Sequence, residues 1–60
     1  MNPITIAHLA AKYSVSPEMI VRLKNLSLTI TDESTGQTVK DMARRAYDKI
    51  IADLGFDPLV

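Results

Sequence analysis

Between Ile6 and Asn25 the chain reads IAHLAAKYSVSPEMIVRLKN, two short helical stretches with a joint of only two residues between them. So short a joint keeps the second helix against the first, and the remaining residues must pack around that pair. The spacing predicts a first helix over about 6–13, with Thr5 accepting a hydrogen bond from a free N–H of the first turn. Ile6, Leu9, Ala10 and Tyr13 recur on one of its sides. Ser14 and Val15 form the joint. Ser16 caps a second helix over about 17–25, Pro17 stands where a missing N–H costs nothing, and Glu18 places its charge at the positive end of the helix dipole. Met19, Ile20 and Leu23 give this helix an apolar stripe, with Arg22, Lys24 and Asn25 nearer the opposite side.

Beyond Asn25, Leu26-Ser27-Leu28-Thr29-Ile30-Thr31 alternates apolar with polar, the pattern of a half-buried strand, and the spacing predicts a strand over about 28–31. Its natural mate is Pro3 to Thr5, within a Met1–Thr5 segment that reads as a brief edge strand or a covering tail. Two strands alone are marginal in water, so this patch needs helices behind it. Asp32 to Gln37 is a polar turn cluster. A last helix follows over about 39–54, capped by Thr38 with Asp41 three residues on. Its inward stripe is Val39, Met42, Ala43, Ala46, Ile50 and Leu54, widened by Tyr47 and Ile51. Gly55 is placed to end it in a left-handed conformation, Phe56 to fold back on the last turn, and Pro58 to block continuation. Three acid–base pairs, Asp41–Arg45, Arg44–Asp48 and Lys49–Asp53, are spaced i to i+4 on its polar face. The fold class is mainly α, one three-helix domain over residues 1–60 with a minor two-stranded patch.

Sixty residues bury only about 60% of the surface of the unfolded chain. With no cysteine and one histidine, neither a disulfide nor a zinc centre can supplement that core. The chain is nevertheless 47% hydrophobic, more than so small a core readily hides, so a partner or self-association is expected to cover the excess. No apolar run approaches the roughly 20 residues of a membrane span, and the N-terminus lacks the pattern of a signal peptide. The expectation is a soluble, cytoplasmic protein with no membrane partner.

Seven basic and seven acidic residues cancel, which weighs against a free-standing nucleic-acid binder, since phosphate contacts supply most non-specific affinity. The charge is unevenly placed, however. Residues 1–31 carry Lys12, Arg22 and Lys24 against Glu18 alone, whereas residues 32–60 carry six acids against four bases.

No catalytic constellation is present in the sequence. His8 has no cysteine or carboxylate at ligand spacing on its helix, Asp32 and Glu33 are explained by a polar turn, and Ser14, Ser16 and Ser34 lack the glycine-flanked setting of a nucleophile. Gly36 and Gly55 are isolated, so no phosphate-cradling loop exists. The chain is expected to act by binding, without enzymatic activity, cofactor or metal.

The stretch from Ile6 to Asn25 resembles the helix-turn-helix of bacterial and phage DNA-binding proteins. Ala10 stands where that family wants a small residue, Val15 where the turn tucks an apolar side chain inward, and Ile20 and Leu23 where the helices meet. Ser14 stands where the family usually has glycine in a left-handed conformation. The resemblance implies a second helix in the major groove that presents Ser16, Pro17, Glu18, Val21, Arg22 and Asn25. Arg22 would bond guanine, Asn25 adenine and Glu18 cytosine, with Lys12 and Lys24 on phosphate. It implies a transcription-regulatory dimer whose seam is the wide stripe of the last helix, at Tyr47, Ile51 and Leu54.

Two other families share local text. Residues 4–54 are similar to the N-terminal module of bacterial translation initiation factor 2, which implies a protein- or ribosome-associated interaction module touching its partner through Val21, Leu26, Tyr47 and Ile51. A small phage or plasmid protein that binds a host protein falls in the same class. HLAAKYSVSPEMIVRLKNLS also resembles the peptidoglycan-binding LysM module, a likeness that stops near Ile30 where LysM closes with a second strand.

Overall fold

The boundary at Ser16-Pro17-Glu18 forms as its residues dictate. In the computed structural model, which describes residues 2–60, the Ser16 hydroxyl accepts the Met19 N–H at 3.2 Å and Pro17 opens the helix. The chain forms α1 (Pro3–Tyr13), α2 (Pro17–Thr31) and α3 (Gln37–Leu54). No strand occurs among the described residues.

α1 starts earlier than the spacing predicts. Asn2, not Thr5, is the cap, its Oδ1 accepting the Thr5 N–H at 2.8 Å, and Pro3 takes the first position, where an absent N–H is no loss. Pro3 to Thr5 is therefore helix rather than edge strand, and Met1 lies outside the described residues. At the other end Ser14 is left-handed, with φ 54 and ψ 41. That conformation costs a non-glycine residue about 1–2 kcal/mol. The Val15 N–H then reaches back to the Ala10 carbonyl at 3.0 Å, closing the turn.

The expected strand at 28–31 is overturned: Leu26 to Thr31 continues α2. Two features let an alternating sequence do so. Thr29 Oγ1 donates to the Asn25 carbonyl at 3.1 Å and Thr31 Oγ1 to the Ser27 carbonyl at 3.0 Å, so the hydroxyls are satisfied along the helix itself. Leu23, Leu26 and Ile30 also fall at i, i+3 and i+7, which gives the helix a continuous apolar stripe. The cost is carried by Leu28, left 53% exposed.

Asp32 to Gly36 connect α2 to α3 as a tight polar turn. Asp32 Oδ1 accepts from the Ser34 N–H at 2.9 Å and from its hydroxyl at 2.7 Å, and these bonds hold the Asp32 carboxyl below its usual value. α3 then begins at Gln37 with Gly36 as a cap without a side-chain bond, so Thr38 lies inside the first turn and is not the cap. Asp41 accepts from Gln37 Nε2 at 2.8 Å and is not paired with Arg45. Arg44–Asp48 at 3.2 Å and Lys49–Asp53 at 3.7 Å do form. Gly55 ends α3 at φ 85, its N–H donating to the Ile51 carbonyl at 2.8 Å.

α2 packs against both α1 and α3, whereas the backbones of α1 and α3 do not approach closely. Ile20 and Leu23 are completely buried at this junction, with Ala10 of α1 and Ala43 of α3 beside them in the core. Burying side chains of that size stabilises by about 1.5–3 kcal/mol each. The inward stripe of α3 is Ala43, Ala46, Tyr47, Ile50, Ile51 and Leu54, all buried or half-buried. Val39 and Met42, expected inward, are 51% and 63% exposed. Met42 is one residue, about 100° of turn, from Ala43, which takes it off the face that meets α2. Val39 sits in the first turn, four residues before Ala43, the buried residue of α3.

The segment after α3 makes contacts beyond its own helix. The Phe56 ring lies 5.2 Å from that of Tyr13 on α1. Tyr47 donates to Asp57 Oδ2 at 2.7 Å, and Pro58 is completely buried.

Candidate nucleic-acid interface

The outward face of α2 is left uncovered by α1 and α3. Ser16, Pro17, Glu18, Val21, Arg22 and Asn25 are all exposed on it. Glu18, Val21, Arg22, Asn25, Leu26 and Thr29 line a shallow open groove of about 540 Å³ along this face. The helix periodicity explains the set, because 18, 22, 25 and 29 recur at i+4, i+3 and i+4. The inward residues of the same helix, Ile20 and Leu23, fix its rotation by being buried.

Chemically the groove holds one guanidinium, one carboxylate, one carboxamide and one hydroxyl around two apolar side chains. Arg22 can donate two parallel hydrogen bonds, Asn25 can donate and accept, and Glu18 accepts. The ion pairs among the described residues are both on α3, so Arg22 and Glu18 are not tied to one another or to a neighbour. Thr29 lies in this groove although its place in an alternating segment hid it from the sequence. The signal that finds it is the continuation of the 18–22–25 spacing by four more residues.

Other residues expected to share the site stand apart from the groove. Lys24 is half-buried and does not line it. Lys12, on α1, holds its ammonium 5.2 Å from the centre of the Tyr13 ring, a cation–π placement at the C-terminal end of α1. Ser16 is exposed, with its oxygen already accepting the Met19 N–H.

The α3 positions expected to form a seam keep part of their surface exposed. Ile51 and Leu54 are half-buried. Tyr47 is half-buried and hydrogen-bonded to Asp57; burial first, and then that bond and the neighbouring carboxylate, push its hydroxyl up to about 12.

Among the described residues no group of His, Asp or Glu is arranged to hold a metal ion. No described helix is long and apolar enough to cross a membrane. Compared with known proteins, the chain matches no family model, no curated protein and no solved structure.

Proposed function

We propose that the protein is a small non-enzymatic DNA-binding protein that acts in transcription regulation and reads duplex DNA with the outward face of α2. The observation that supports this is the sorting of α2. The side chains able to recognise base edges, Glu18, Arg22 and Asn25, share one uncovered face, while Ile20 and Leu23 lock the opposite face in the core. The left-handed Ser14 sets the short joint that presents α2 in this way. Lys12 and Lys24 contribute phosphate contacts at either side. Three basic residues make a thin patch, so the affinity of one copy is modest and strongly salt-dependent.

A domain of this size covers few base pairs, and the reading therefore includes a dimer. Its seam is the α3 stripe at Tyr47, Ile51 and Leu54, each still partly exposed, with Val39 and Met42 exposed on the same helix. The test is fluorescence anisotropy with a mixed-sequence duplex at low and at physiological salt. Wild type binds at low salt and weakens steeply as salt rises, and Arg22→Ala weakens binding at least about fivefold. No binding at low salt would overturn the reading.

The same exposed Val39 and Met42 favour a second reading, a protein- or ribosome-associated interaction module, which also accommodates the zero net charge. An apolar protein contact persists as salt rises, and Met42→Glu abolishes it while sparing DNA affinity per protomer.

A further inference from the structure

α1 has little to hold it. It is 11 residues long, a length at which an isolated helix is marginal in water, and its one buried residue is Ala10. Its backbone makes no close approach to α3. Its second support comes from the segment after Gly55. The Phe56 ring packs at 5.2 Å, tilted by 42°, against Tyr13 in the last turn of α1. Asp57 is held at both carboxylate oxygens, Oδ2 by the Tyr47 hydroxyl at 2.7 Å and Oδ1 by the Leu59 N–H at 2.9 Å. Pro58, of a residue type that is mostly exposed, is completely buried.

The segment thus bridges two helices whose backbones do not approach closely. We propose that residues 55–60 are a clasp that fastens α1 to the α2–α3 hairpin, with the Tyr47–Asp57 hydrogen bond as its latch, and that opening the latch releases α1 while the hairpin stays folded. The latch is placed to open. Tyr47 and Asp57 line a cleft of about 330 Å³ with Ser27, Thr31 and Arg44, so solvent reaches the bond without parting Ile20 and Leu23. Release frees Leu9, Ala10 and Tyr13 from their contacts and removes the brace behind the first turns of α2. The device is independent of what α2 binds.

Amide hydrogen exchange of the full chain tests it, on wild type, Asp57→Asn, Tyr47→Phe and the double variant Phe56→Ala/Tyr47→Phe. Losing one hydrogen bond speeds exchange of the α1 amides from Ala7 to Tyr13 by about threefold to tenfold, and the double variant by more. The amides of Leu23 and of Ala43 to Ile50 keep their wild-type rates. Equal acceleration throughout would overturn the clasp, because the bond would then belong to one cooperative unit. Unchanged α1 rates, or complete unfolding of the double variant, would overturn it too.

Discussion

Ser14 is the residue whose identity and conformation disagree most. A serine with φ 54 carries a strain that glycine does not, so Ser14→Gly is expected to stabilise the chain by about 0.5–1 kcal/mol in urea unfolding, after the extra flexibility of glycine in the unfolded state is set against the relief. A loss of stability would mean that the joint is not strained. Tyr47 sets a pH limit. Its hydroxyl ionises near 10 in the unfolded chain and at about 12 in the folded one, so its contribution is complete below pH 10 and is lost as pH rises from 10 to about 12. Tyr47→Phe removes that part of the alkaline slope, as thermal unfolding at pH 9, 10 and 11 will show.

At the scale of elements, α2 is where sequence and structure agree best at one end and least at the other. Its start was legible because Ser16, Pro17 and Glu18 each act locally, through a hydroxyl, a missing N–H and a charge. Its last six residues were not, because Leu26 to Thr31 satisfies a period of 2 and a helical stripe at once, and only packing against α3 decides between them. Leu28, half exposed, is the residue the helix leaves unexplained by burial. Helical Cα chemical shifts across 26–31 are expected in solution, and Leu28→Ala should change stability by less than about 0.5 kcal/mol, as at other surface positions. The outward face was legible as far as Asn25, since each of its residues follows from the buried Ile20 and Leu23. Thr29 was lost with the strand. The start of α3 was misplaced because Thr38 offers a cap on paper, while the Asp32–Ser34 turn brings the chain into helix two residues earlier.

For the whole molecule, the core is four apolar side chains of the helices and one proline, so stability is concentrated. Leu23→Ala is expected to cost about 2–5 kcal/mol, a large share of what so small a domain has, and to leave the chain largely unfolded by circular dichroism at 37 °C. Long-range arrangement was the least legible level. That the backbones of α1 and α3 stay apart, and that Phe56 reaches Tyr13 across 43 positions of sequence, follows from packing that no local pattern encodes. The same arrangement leaves one face of α2 free, and the functional account rests on that face.

An NMR titration of isotope-labelled protein with a mixed-sequence duplex, at low and at physiological salt, addresses it most directly. The account predicts shifts confined to Lys12 and to Ser16 through Thr29, centred on Glu18, Arg22 and Asn25, that fade as salt rises. A spectrum unchanged at low salt, or shifts centred on Val39 and Met42 instead, would contradict it.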